Sequence, residues 1–324
     1  MSMLEDVQAQ PHQIGDALWR VEAAEVPRRD LPGGLLVCGM GGSAIGGDLA
    51  AGAIGPRALR PIRTVRGYLP EPWLGPGTLV LCASYSGATE ETLACFDAAG
   101  EAGAERVVLT TGGRLAEKAR EQGVPVIGVP SGMQPRAAVI YMAVAALECA
   151  AACGAADPVT DQIEAAAPVL EGLVEDPEPG RIAEALKGTL PVVYGADVSA
   201  APARRLKNQF NENAKLAAFA GELPEICHNE IEGWSAGLRM APLSAVLLEA
   251  PGLHDRVQRR FDLLAGLLER EGAPVLRVGA RGESSVAHVL SLVMLGDLVT
   301  VRLADRLGVD ADAIPAIIAF KSAL

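Results

Sequence analysis

Residues 39–48 read GMGGSAIGGD, and the reading of this stretch decides the fold. It follows the apolar run LLVC at 35–38 and precedes an alanine-rich stretch. A glycine-rich turn between a strand and a helix is a ready phosphate site. Glycines let the backbone approach the anion, and the first amides of the helix have no partner in the helix itself. Gly39, Gly41 and Ala44 fit the dinucleotide pattern G-x-G-x-x-[GA], while Ser43 fits a phosphosugar cradle equally well.

The pattern continues outward from that turn. Short apolar strands alternate with helical segments: GLLVCG, LRPIRTVRG, GTLVLCAS, ERVVLTT and VPVIGVP as strands, then the long apolar helix PRAAVIYMAVAALECAAAC. This alternation predicts an α/β fold with a parallel sheet flanked by helices. One or two helices are expected in residues 1–30. The segment GAADPVTD at 154–161 interrupts the pattern, so a boundary is expected there, with domains at 1–154 and 155–324. A second alternation follows, TLPVVYGAD, APARRLKNQFNENAK, LSAVLLEA, HDRVQRRFDLLAGLLER and APVLRVG, which suggests a structural duplication without a visible sequence repeat.

Composition narrows the function classes. The 324 residues are 50% hydrophobic but only 4% aromatic, so the cores must be built from Ala, Val and Leu. A net charge of −12 argues against nucleic acid as a partner. The six cysteines (Cys38, Cys82, Cys95, Cys149, Cys153 and Cys227) form no CxxC pair and read as small buried residues of a reducing cytoplasm. The polar start MSMLEDVQAQ does not read as a signal peptide. The apolar stretch at 286–304 carries His288, Asp297 and Arg302, so a buried helix is expected rather than a membrane span. No metal-ligand cluster and no cofactor are expected.

A second loop settles the balance between the two phosphate readings. ASYSGATEET at 83–92 places Ser84, Ser86, Gly87 and Thr89 at the end of another strand. One such loop could be only a helix cap. Two in one sheet favour a phosphate held between them. A dinucleotide site expects an acidic residue at the end of the second strand, but RPIRTVRGY at 60–68 offers arginines instead. An NADP-dependent oxidoreductase remains the weaker alternative, because it leaves SYSGAT unexplained.

At this point the pair GMGGS and SYSGxTEETL resembles the SIS (sugar isomerase) fold. NENAKLAAFAGELPEICHNEIEGW at 211–234, and a proline followed six residues later by Lys321, resemble the bifunctional phosphoglucose/phosphomannose isomerases, which are built from two tandem SIS domains. The resemblance runs from about residue 30 to residue 324. It implies aldose–ketose isomerisation of glucose 6-phosphate, mannose 6-phosphate or both with fructose 6-phosphate through a cis-enediolate. Carried over residue by residue, Glu212 is the base, His228 opens the ring, Lys321 assists ring opening or polarises substrate oxygens, and Arg136 stabilises the enediolate. Gly41, Gly42, Ser43, Ser84, Ser86 and Thr89 hold the phosphate. The implied partners are a hexose 6-phosphate and a second copy of the chain, a homodimer in which His228 is contributed across the interface, with neither nucleic acid nor membrane. Ala88 stands where the family often has Asn. Ile314 stands where relatives that accept both epimers carry Thr, which bears on how the C2 hydroxyl is accommodated. The other reading of the same resemblance is a non-catalytic phosphosugar-binding SIS protein. The joint presence of Glu212, His228 and Lys321 favours catalysis.

Overall fold

The computed structural model describes residues 2–324. By compactness these divide into two units, Gln8–Glu171 with Glu283–Leu290, and Ser2–Val7 with Gly172–Gly282 and Ser291–Leu324. In chain order the elements up to the middle of the chain are α1 (Met3–Gln8), α2 (Gln10–Ala23), β1 (Gly34–Cys38), α3 (Gly41–Ile54), β2 (Ile62–Val65), β3 (Thr78–Ala83), α4 (Glu90–Glu101), β4 (Glu105–Thr110), α5 (Gly113–Glu121), β5 (Val126–Gly128), α6 (Val139–Ala152) and α7 (Thr160–Val174). Then come α8 (Glu178–Leu186), β6 (Leu190–Gly195), α9 (Ala200–Glu212), β7 (Phe219–Glu222), α10 (Trp234–Met240), β8 (Leu243–Glu249), α11 (Asp255–Arg270), β9 (Val275–Gly279), α12 (Ser285–Leu307) and α13 (Pro315–Ser322).

The first unit holds a five-stranded sheet in the order β2-β1-β3-β4-β5, every pair parallel. β1 and β3 are buried at every residue, as strands covered on both faces must be, whereas β2 at the edge is only half-buried. Because β2 lies on one side of β1 and β3 on the other, the strand order reverses between them. The carboxyl ends of β1 and β3 therefore flank the crevice where open α/β sheets bind ligands. GMGGS follows β1 and SYSGAT follows β3, so both expected phosphate loops open at this one point.

The glycines of the first loop have a second task in packing. A methyl group on Gly46 would stand 2.4 Å from the Met142 carbonyl oxygen, so α3 can lie this close to α6 only with glycine there. Helix α6 is buried along almost its whole length, and most of its buried residues are aliphatic. Two stretches, Pro135–Ala152 and Ser285–Leu307, are long and apolar enough to cross a membrane. They are 89% and 94% buried inside the protein, which accounts for their apolar character. Five of the six cysteines are buried and none forms a disulfide; burial pushes the thiols of Cys82 and Cys149 up.

The second unit repeats the theme with a four-stranded parallel sheet, β7-β6-β8-β9. Its core gathers Tyr194, Leu223, Ile226, Trp234, Leu247, Phe261, Leu264 and Leu268. Four elements exceed the sequence reading: helices α7, α8 and α10, and β7, a short strand made of FAGE, a segment with little β character of its own. The division of the chain also differs from a cut at residue 154. Helix α7 stays with the first unit up to Glu171, where the Thr160 hydroxyl donates to Glu148 of α6 at 2.7 Å.

Candidate active site

The first unit brings the expected phosphate residues together. The Tyr85 N–H donates to Ser43 Oγ at 3.1 Å, which ties the loop after β3 directly to the start of α3. Ser84 Oγ pairs with Thr89 Oγ1 at 2.8 Å and accepts from the Gly87 N–H at 3.1 Å. Thr89 therefore does not cap α4 with its side chain; its hydroxyl closes the loop on itself. Ser86 is exposed, and its hydroxyl oxygen accepts from the Ala88 N–H at 3.3 Å. Ser43 and Ser86 thus use oxygen lone pairs to shape the loops, and a hydroxyl engaged as acceptor keeps its proton for a ligand.

Gly87 shows why the second loop needs glycine. Its φ is +65°, and a Cβ there would meet the Gly112 carbonyl oxygen at 1.8 Å. The Gly87 carbonyl in turn accepts from the Leu115 N–H at 2.9 Å, so the loop is seated on α5. Both α3 and α4 begin at this crevice, and the first amides of each lack an acceptor within the helix, a combination suited to a phosphate dianion.

Arg136 joins the same crevice. A Cβ on Gly42 would lie 3.0 Å from the Pro135 oxygen and 3.1 Å from Arg136 Cα, so the GMGGS turn and the 134–136 segment are in backbone contact. Arg136 is 2% exposed and its Nη1 donates to Gln134 Oε1 at 3.3 Å. A buried guanidinium beside two hydroxyl-bearing loops is a strong local concentration of positive charge in a chain of net charge −12.

Tyr85, not singled out from the sequence, organises this arrangement. Besides its N–H to Ser43, its carbonyl accepts from the Thr111 N–H and hydroxyl at 3.1 and 2.8 Å. Its phenol donates to the Pro130 carbonyl and accepts from the Met133 N–H, both at 3.1 Å. One residue thereby joins the two phosphate loops to the segment that carries Arg136. A large aromatic between two serines at a strand end is the signal that points to it.

The second unit carries Glu212, His228 and Lys321 on three separate segments. Glu212 is half-buried at the last turn of α9. Its neighbours hold the backbone on both sides: Asn211 Nδ2 donates to the Leu216 carbonyl at 2.9 Å, and the buried Asn213 Nδ2 donates to Thr300 Oγ1 at 3.0 Å. Two turns back, Arg205 Nη2 donates to both Asp297 oxygens at 2.8 and 2.7 Å, and one turn back Gln209 Nε2 donates to one of them at 2.9 Å. The asparagines that look uninformative in the sequence are the clamps on the carboxylate's own turn.

His228 ends a short 3-10 turn, Glu225–His228, that is pinned from both sides. Leu223 and Ile226 are buried before it. After it, the Trp234 Nε1–H donates to the Tyr194 phenol at 2.9 Å, and that phenol donates to Glu230 at 2.5 Å. The histidine itself is exposed at the edge of a cavity of about 310 Å³, beside Cys227, Ile231 and residues of α11. Lys321 sits in the last turn of α13, a helix with no buried residue. Among the described residues no group of three or more His, Cys, Asp or Glu is arranged to hold a metal.

Comparison with known proteins agrees with this construction. Residues 175–324 match the family described as bacterial phospho-glucose isomerase C-terminal SIS domain. The chain is 36% identical over 278 residues to the bifunctional phosphoglucose/phosphomannose isomerase of Aquifex aeolicus, covering 86% of each protein. It is 35% identical over 315 residues to the protein of the same name from Caldicellulosiruptor bescii, covering 93% of each. Among solved structures, the C-terminal domain of glucosamine-fructose-6-phosphate aminotransferase from Francisella tularensis has the same fold, with a TM-score of 0.74 at 14% identity over 96% of this chain and 98% of that one.

Proposed function

Because the chain belongs to the bifunctional phosphoglucose/phosphomannose isomerase family, we propose that it interconverts fructose 6-phosphate with glucose 6-phosphate, mannose 6-phosphate or both. The observation that carries this reading is the crevice between β1 and β3, where the Ser43–Tyr85 hydrogen bond joins two hydroxyl-bearing helix starts next to a buried arginine. Such a crevice suits a monoester dianion.

The roles follow from the chemistry. Gly41, Gly42, Ser43, Ser84, Ser86 and Thr89 fix the phosphate. Ser84, which is 1% exposed, acts by holding Thr89 and the Gly87 amide in place, while Ser43 and Ser86 donate hydroxyl protons. His228 protonates the ring oxygen and so opens the sugar, a task that suits an imidazole near neutral pH. Glu212 then takes the proton from C2 of the aldose and returns it to C1, leaving the ketose; the reverse order regenerates the aldose. Arg136 stabilises the enediolate oxygen that carries charge between the two transfers. Lys321 polarises the ring and hydroxyl oxygens. One proton leaves C2 and one is delivered to C1, while the hydroxyl proton passes from O2 to O1, so the route balances without a redox partner.

A coupled assay that follows fructose 6-phosphate from each aldose tests the proposal. Turnover with at least one epimer is expected, and no turnover with either would end it. In the same assay Ser86→Ala is expected to raise KM about tenfold, the size of one charge-assisted hydrogen bond, with kcat within about twofold of the parent because phosphate binding is uniform along the reaction.

A homodimer in which each chain lends His228 to its neighbour's substrate is the second part of the proposal. Support comes from apolar side chains in solvent on the segments concerned. In α13, Ile318 is 58% and Phe320 70% exposed, and Met240 at the end of α10 is 88% exposed. Light scattering on the chromatographed protein is expected to give twice the 33.5 kDa chain mass, and a monomer active in the assay would refute the shared-histidine arrangement.

A further inference from the structure

The cavity beside His228 has features that the isomerase chemistry does not use. Its wall is one face of α11: Arg256, Arg260, Leu264 and Leu267 follow one another along the helix, with Arg259 and Leu263 in the next row. The side opposite is Cys227, His228 and Ile231. The slot is therefore cationic towards the start of α11 and apolar towards its end. At about 310 Å³ it stands at the low end of the roughly 300–1,000 Å³ typical of small-molecule sites.

The arginines are the notable part. None of Arg256, Arg259 and Arg260 has a carboxylate partner among the described residues. In the same unit Arg205, Arg277, Arg281 and Arg306 are each matched to an acid. Asp255 opens α11 beside Arg256 without an ion pair among the described residues, while three other acids in the surrounding segments are committed elsewhere. Asp262 binds Arg277, Glu225 accepts from Asn229, and Glu230 accepts from Tyr194. Arg260 lies close enough to Cys227 for its charge to bear on the thiol, which burial pushes up. Arg256 and Arg259 are exposed and Arg260 is half-buried, so water solvates them in the open slot, and an anion that brings an apolar body gains their donors together with the apolar face of α11.

We infer that this slot binds an organic anion, a phosphate or carboxylate head carried on an apolar body, with the head on Arg256, Arg259 and Arg260 and the body along Leu263, Leu264 and Leu267. Such a ligand comes from two sources, a nucleotide or a medium-chain acyl anion. Its occupancy covers His228. This consequence rests on the role proposed above for that histidine, and it lowers turnover.

The test uses 8-anilinonaphthalene-1-sulfonate, a fluorescent anion with an apolar body, on the full chain. Saturable binding at one site per chain is expected, and Arg256→Glu with Arg260→Glu, both charge reversals on the helix surface, is expected to weaken it at least tenfold. Displacement by AMP identifies the nucleotide source and displacement by decanoate the acyl source; either supports the site. Four results overturn it: unchanged affinity in the double variant, displacement by neither competitor, displacement by fructose 6-phosphate, and equal displacement by inorganic phosphate, which makes no use of the apolar floor. A change of oligomeric mass in the variant also overturns it, since the face would then be a contact between copies. Binding that persists while kcat is untouched leaves the site standing and instead removes His228 from the reaction.

Discussion

On the base role proposed for Glu212, Glu212→Gln is expected to turn over about 10³-fold more slowly than the parent chain, within the roughly 10²–10⁴ that a positioned general base contributes, with KM close to the parent value. The amide is nearly isosteric with the carboxylate but cannot take a proton. The turn that carries it is held by Asn211 and Asn213 through backbone and Thr300 contacts that the substitution leaves intact. Folding is therefore unaffected, which circular dichroism and the melting temperature check. Solvent exchange supplies a sharper readout. In deuterium oxide the parent chain incorporates deuterium into product, through exchange on the carboxylate between the two proton transfers, and the variant leaves unreacted sugar unlabelled. A variant with more than about a tenth of parental kcat would show that some other group is the base.

Asp297→Ala is expected to produce the largest loss of stability. Asp297 is fully buried on α12 and accepts from Arg205 and Gln209 of α9. Its removal takes away the carboxylate that pairs with a guanidinium of side-chain exposure 4%. Breaking one side of a buried pair costs roughly 3–5 kcal/mol, which for a unit of this size lowers the thermal midpoint by about 10 °C or more. Asp297→Asn keeps an acceptor and loses less. The same pair fixes the register of α9 two turns before Glu212, so the alanine variant is also expected to lose kcat at temperatures where it remains folded. A midpoint within about 2 °C of the parent would mean that Arg205 finds another partner or reaches water.

The first unit was legible because its signals are local. The runs LLVC and TLVLCA are buried on both faces, and their period and length leave little choice but parallel strands. Glycine and serine at their ends mark the turns, and the structure sets both turns at the reversal of strand order. Helix α4 begins at Glu90, and Thr89 before it is occupied with Ser84. The less legible parts depend on partners distant in sequence. Strand β7 exists because FAGE pairs with β6, not because Ala and Gly favour a strand. Helices α7 and α8 lie where the eye looks for strand punctuation. The function of Tyr85 is set by Ser43, Thr111, Pro130 and Met133, none of them a sequence neighbour. Glu212, His228 and Lys321 carry no local signature, and only their place in a longer resemblance made them candidates.

The bridge from Tyr85 to Ser43 bears on epimer choice. A receptor whose loops are already joined before any ligand arrives has little ordering entropy left to lose, so the anion's own charge and shape set the affinity. That end of the sugar is identical in glucose and mannose 6-phosphates, which differ only in the hand of one carbon remote from it. With the phosphate role proposed for these loops, the clasp is blind to stereochemistry, and any preference between the two epimers must be written where C2 is handled.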